Sequence, residues 1–264
     1  MNTFTVNLST IFTEVPLLER FKKAKECGFS HVEIQFPYEL PVETIAVKLK
    51  EHQLTLELIN VPAGNWEKGE RGIAIHPDRI NEFKEAVAKG IEYATALGVS
   101  RLHCLAGVLA YGEDRETARK AYLENLGYAA RKMARHGLTL LIEPINPFDM
   151  PGYFLTDIEE AAAIVDEIGC PNVKLQFDFY HIQRIQGNLL GTFDRHFERI
   201  AHVQLADVPG RHEPGTGEIN YQNVLEHLEK KGYKGYIGLE YIPAGKSEES
   251  FKWMNQLGTG CVAE

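Results

Sequence analysis

Residues 158–178 read IEEAAAIVDEIGCPNVKLQFD. Ile158–Ile168 is a helical pattern, Gly169 stops it, Val173–Phe177 is a short apolar run, and Asp178 stands where that run ends. A run of this length, rich in Val, Leu and Phe, predicts a strand buried on both faces. Glycine at the stop suits a left-handed helix terminus, because it has no Cβ to clash. The unit is helix, Gly, strand, polar residue, and it recurs along the chain.

Working outward, the predicted strands are Phe4–Leu8, His31–Ile34, Thr55–Ile59, Arg101–Cys104, Thr139–Ile142, Val173–Phe177, Ala201–Leu205 and Tyr236–Leu239. The predicted helices are Leu17–Cys27, Val42–His52, Arg79–Leu97, Glu113–His136, Ile158–Ile168, Gly191–Ile200, Tyr221–Lys231 and Glu248–Leu257. Gly28, Gly98, Gly137, Gly169 and Gly232 punctuate helix-to-strand passages. Pro16 and Pro41 suit first helical turns, and Asp78 and Thr156 read as caps. Eight alternating strands and helices imply parallel strands with right-handed crossovers, and so a closed (β/α)8 TIM barrel in which residues 1–264 form one domain. An open doubly wound sheet would carry a Gly-rich phosphate loop after its first strand, and NLSTIFTEVP (7–16) has none.

Composition narrows the partners. Lys+Arg 28 against Asp+Glu 37 leaves a net charge of −9, which repels phosphate backbones, so nucleic acid is not an expected partner. A small anion remains compatible, since one local arginine can outweigh a distant field. Cys27, Cys104, Cys170 and Cys261 form no CxxC pair and read as reduced thiols. The N-terminus lacks a signal-peptide pattern and no apolar run reaches about 20 residues, so a cytoplasmic protein with no membrane partner is expected. The C-terminal GTGCVAE (258–264) reads as a frayed tail. The oligomeric state is left open, a homodimer being one option.

Chemistry in such a barrel gathers where strands end. LTLLIEPINP (138–147) puts Glu143 there, VKLQFDFYH (173–181) Asp178 and His181, AHVQLADVPGR (201–211) His202, Gln204, Asp207 and Arg211, and YIGLEYIPAG (236–245) Glu240. Carboxylates gathered at one mouth with no lysine among them call for a divalent cation. Glu143, Asp178, Gln204 and Glu240 form an all-oxygen ligand set that favours Mg2+ or Mn2+ over zinc. The first half is sparser: Asn7, Glu33, Gln35, Glu57, Asn60 and His103, the last either a satisfied barrel histidine or a substrate contact. Asn60 opens the long loop NVPAGNWEKGERGIAI (60–75), a candidate lid whose Arg71 is either a solvated arginine or a carboxylate clamp.

With these residues in place, the chain resembles the hydroxypyruvate isomerase family of the xylose isomerase-like barrels and its relatives, the 2-oxo-tetronate isomerases. The resemblance covers essentially the whole chain. It rests most on residues 60–74, 141–155, 175–183, 200–221 and 238–243 together. It implies isomerisation of a short, anionic 2-oxo sugar acid bearing a neighbouring hydroxyl. Glu143 and Glu240 match the family's acid/base glutamates, which also contact metal, and Asp178 and Gln204 match its other metal positions. Related ketose epimerases have His where Gln204 stands. His181 and Arg211 match substrate-contact positions of those epimerases, and Asn60, Arg71 and His103 complete the expected substrate set. Rival readings are a metal-dependent ketose 3-epimerase, a metal-dependent hydrolase such as an abasic-site endonuclease, and a non-catalytic sugar-acid binding protein.

Overall fold

Short runs of Val, Ile, Leu and Phe, too apolar to leave either face in water, need helices on one side and a filled interior on the other. A computed structural model, which describes residues 2–109 and 112–257, shows that arrangement. Strands β1 (Thr3–Asn7), β2 (His31–Ile34), β3 (Thr55–Asn60), β4 (Arg101–His103), β5 (Thr139–Ile142), β6 (Val173–Asp178), β7 (Ile200–Leu205) and β8 (Tyr236–Leu239) close into a parallel barrel in chain order. β8 pairs with β1 to complete the ring. Each strand lies within one residue, at either end, of its expected bounds. Cys261 and the tail expected to fray, 258–264, lie outside the described residues.

Around the barrel run α1 (Leu17–Glu26), α2 (Val42–His52), α3 (Ile80–Leu97), α4 (Arg115–Ala134), α5 (Ile158–Ile168), α6 (Phe179–Ile185), α7 (Leu189–His196), α8 (Tyr221–Lys231) and α9 (Lys252–Gln256). All five punctuating glycines have positive φ, between 63° and 87°. Two capping expectations need correction. The residue that caps α5 is Asp157, which accepts from the Glu160 amide at 2.9 Å, one position after Thr156. Asp78 sits inside a 3-10 turn, Pro77–Arg79, and no side chain caps α3.

The β6–β7 connection also differs from expectation. It holds two helices, α6 and α7, where one was read at Gly191–Ile200. The seven residues of α6 span barely two turns, too few for a periodic pattern to declare itself. Asp178 ends β6 and caps α6, its Oδ1 accepting from the Tyr180 amide at 2.9 Å.

The barrel interior is polar along much of its length. Asn7, Glu33, Gln176, His202 and Gln204 are all buried there beside the strand-end carboxylates. Gly238 makes room for them: a Cβ on it would stand 2.5 Å from Glu33 Oε1 and 2.7 Å from Gln204 Cγ. At the opposite, N-terminal end, Glu57 accepts from His31 Nδ1 at 2.8 Å and faces Arg101 at 3.5 Å. That cluster closes the barrel floor and reads as stability.

Candidate active site

Strand ends aim their last inward side chains at a common axis, so Glu143, Asp178, Gln204 and Glu240 meet at the C-terminal mouth. All four are buried. The amides of Gln176 and Gln204 link Glu143 to Glu33 and Glu240. Gln176 Nε2 donates to Glu143 Oε2 at 3.1 Å and to Gln204 Oε1 at 2.7 Å. Gln204 Nε2 donates to Glu33 Oε2 at 2.7 Å and approaches Glu240 Oε1 at 3.4 Å. Glu33 is held in turn by His202 Nε2 at 2.8 Å.

Glu240 is the best-partnered carboxylate. Oε1 accepts from Asn7 Nδ2 and Gln35 Nε2, each at 3.0 Å, and Oε2 pairs with the Arg211 guanidinium at 2.7 Å. Arg211 also lies 3.9 Å from Asp178 Oδ2. Glu143 Oε1 and Asp178 Oδ2 are buried without a hydrogen-bond partner.

Burial pushes Glu143 well above the usual carboxylate range, and the charges of Asp178 and Glu240 add to it. Burial lifts Asp178 to about 7 against the opposing pull of Arg211. Burial likewise raises Glu240, with Arg211 opposing. Burial disfavours the Arg211 charge too, but Glu240, Asp178 and Glu143 outweigh it and push its pKa up.

Two histidines line the same chamber. His181 falls at the third position of α6, one turn past Asp178, with Nε2 3.7 Å from Asp178 Oδ2. His103 Nε2 lies 3.6 Å from Glu143 Oε2 and is buried without a hydrogen bond. Burial first, then His202, drops His103 to about 3, so it is neutral. Burial also holds His181 well below its ordinary range. Glu143, Asp178 and His181 offer ligand atoms within 4.8 Å of one another, close enough for one ion. Buried carboxylate oxygens lacking any partner are what a divalent cation would satisfy, so Glu143 and Asp178 fit one.

The structure thus gathers Glu143, Asp178, Gln204, Glu240, His103, His181 and Arg211. Arg71 makes its contacts within its own loop. That guanidinium stacks 3.9 Å over the Trp66 ring and donates to the Trp66 and Glu70 carbonyls, bracing its own loop. Asn60 ends β3, its carbonyl accepting from the Tyr38 hydroxyl. A groove of about 1000 Å³ lined by Phe36, Tyr38, Pro62, Trp66, Ile73 and Glu82, among others, lies beside α3 and includes no member of the carboxylate cluster.

Sequence reasoning noted Glu33, Gln35 and Asn7 without giving them work; all three bond within the cluster. It passed over Gln176 and Asn146. Gln176 was findable, two residues before Asp178 and so on the same strand face. Asn146 was not, because its role depends on how the segment after β5 turns back. Asp207, two residues past β7, is buried and accepts four backbone amides at 2.9–3.0 Å, from Val208, Gly215, Gly217 and Ile219. It ties down the loop that carries Arg211.

Fold and mouth define a class, and comparison agrees: residues 21–257 match the xylose isomerase-like TIM barrel family, to which the chain belongs. Within that class it belongs with the hydroxypyruvate and 2-oxo-tetronate isomerases. It is 44% identical to a hydroxypyruvate isomerase of Escherichia coli K12, covering 96% of this chain and 98% of the relative. It is 41% identical to a 2-oxo-tetronate isomerase of Cupriavidus necator, with 96% and 98% covered. A Brucella melitensis crystal structure described as an AP endonuclease, family 2, superposes with a TM-score of 0.94 at 44% identity, covering 97% and 99% of the two chains.

Proposed function

We propose that the chain is an isomerase that moves a carbonyl between adjacent carbons of a short, anionic 2-oxo acid: hydroxypyruvate to tartronate semialdehyde, or a 2-oxo-tetronate to its 3-oxo isomer. The observation that carries this reading is the buried carboxylate cluster, with Glu143 Oε1 and Asp178 Oδ2 unpartnered beside the Arg211-held Glu240. Full-length similarity to isomerases of both substrates supports it.

The hydrogen on the hydroxyl-bearing carbon is weakly acidic, and its removal leaves an enediolate. A glutamate at the mouth, Glu143 or Glu240, takes that proton, the same or the facing glutamate returns it to the neighbouring carbon, and the hydroxyl hydrogen passes to the former carbonyl oxygen. Burial raises both carboxyls, which brings them nearer the operating pH and strengthens them as bases. Arg211 Nε is buried and unpartnered, a donor left over for the substrate carboxylate. His103 and His181 hydrogen-bond substrate oxygens. Glu143, Asp178, Gln204 and Glu240 would hold a divalent ion, Mg2+ or Mn2+ by their oxygen chemistry, which supplies charge stabilisation for the oxygens that gain electron density. A hydride shift is the lesser alternative, since no lysine stands among these groups to assist it.

The experiment is a turnover panel: hydroxypyruvate, four-carbon 2-oxo-tetronates and a free ketose, each with and without chelator. Turnover of a 2-oxo acid, lost with chelator and restored by Mn2+, is the expected result. Epimerisation of the ketose alone would replace this reading with that of a 3-epimerase, and binding without turnover with that of a sugar-acid binder. An abasic-site nuclease is disfavoured by the net charge of −9 and the oxygen-dominated ligand set.

No helix among the described residues is long and apolar enough to cross a membrane. A cytoplasmic location is part of the proposal, supported by the free thiols of Cys27, Cys104 and Cys170. So is a single catalytic domain over residues 1–264.

A further inference from the structure

The side chain of Asn146 sits behind His181, and its orientation follows from its neighbours. Asn146 Oδ1 accepts from the backbone amides of Phe148 and Asp149 at 3.1 and 3.0 Å. Those groups can only donate, so the atom facing them must be the oxygen. The NH2 group then points the other way, where it meets Asp149 Oδ2 at 3.1 Å and His181 Nδ1 at 2.7 Å. A carboxylate accepts, which agrees with that placement. Asp149 is itself anchored by the Tyr180 hydroxyl at 2.7 Å and Arg184 at 2.9 Å. The Asn146 backbone amide also points at His181 Nδ1, at 3.4 Å.

His181 Nδ1 therefore faces two N–H donors and cannot carry a hydrogen of its own. A ring nitrogen that accepts leaves the hydrogen of a neutral imidazole on the other one. We propose that Asn146 is a positioning residue that holds His181 as the Nε2–H tautomer, making His181 a hydrogen-bond donor to a substrate oxygen and not a metal ligand. With hydrogen on Nε2 and the Nδ1 lone pair engaged by Asn146, the ring has no in-plane lone pair left for a cation. The spatial trio of Glu143, Asp178 and His181 is then two acceptors and one donor. Nε2 lies 3.7 Å from Asp178 Oδ2, beyond hydrogen-bond length, so its hydrogen is available to a ligand at the mouth. A neutral donor there would stabilise the oxygen that gains charge when the neighbouring carbon loses its proton. That last step rests on the proposed isomerisation; the tautomer does not.

The test is long-range 1H–15N NMR of the histidine rings in metal-free, full-length protein. Wild type should show His181 with hydrogen on Nε2, and Asn146→Ala should populate the Nδ1–H form. Asn146→Ala should also lower kcat by tenfold or more with KM changed less than threefold. Mn2+ titrated calorimetrically into His181→Ala should bind as it does to wild type. An Nδ1–H ring in wild type, an unchanged tautomer in Asn146→Ala, or a tenfold weaker Mn2+ affinity in His181→Ala would each overturn the proposal. If Asn146→Ala does not fold, the wild-type spectrum and the Mn2+ titration still decide. None of these ring and metal readouts needs turnover, so they stand apart from the outcome of the substrate panel.

Discussion

At the scale of single residues, the mouth combines fully partnered and unpartnered acids, and the difference assigns them work. Glu240 is fixed by Asn7, Gln35 and Arg211, whereas Glu143 and Asp178 each keep one buried oxygen without a partner. An unpaired buried oxygen costs free energy unless something satisfies it, which is why these two acids are the natural seat for a cation. Arg211 has a different task. Arg211→Ala should raise KM for the 2-oxo acid by tenfold or more, because a charge-assisted bond to a carboxylate is worth about 1.5–3 kcal/mol. Steady-state kinetics checks this, and an unchanged KM would assign the substrate carboxylate to another donor. Strand-end acids were legible because each terminates an apolar run. The roles of Asn146 and Arg71 were not, since both depend on how a loop folds back: Arg71 turns onto Trp66 of its own loop.

At the scale of elements, barrel closure converts strand ends far apart in the chain into one site, and loops refine it. Asp207 organises the connection between β7 and α8 through four backbone amides. Asp207→Ala should cost about 2 kcal/mol or more and loosen Arg211, lowering Tm and raising KM together. Thermal unfolding and kinetics on the same preparation check it, and a normal Tm would show that the loop holds itself. Strands were readable within one residue because each short run rich in Val, Ile, Leu and Phe is set off from its neighbouring helices by turn or polar residues. The helix α6 was hidden because Asp178 serves both as a strand end and as a helix cap, so the switch from strand to helix falls within a single residue.

At the scale of the whole molecule, an acidic protein concentrates part of its negative charge inside its own barrel. The raised carboxyls bind protons more tightly folded than unfolded. For Asp178 the stabilising effect in metal-free protein is therefore complete below about 4, the range of a free carboxyl, and is lost as pH rises through about 7, with Glu143 and Glu240 acting in the same direction. A divalent ion needs the carboxylates deprotonated, so it works in the opposite direction. The Tm increase caused by Mn2+ should be small at pH 5 and grow steadily toward pH 8, as differential scanning fluorimetry would show. A shift independent of pH would place the ion away from this cluster.

The most direct check of these acids as the reacting groups is the turnover of Glu143→Gln with hydroxypyruvate and a 2-oxo-tetronate under saturating Mn2+, beside wild type. Glutamine keeps the shape and removes the proton-accepting oxygen, so kcat should fall by about 10²–10⁴-fold while the protein stays folded. Turnover near that of wild type in the folded variant would contradict the account.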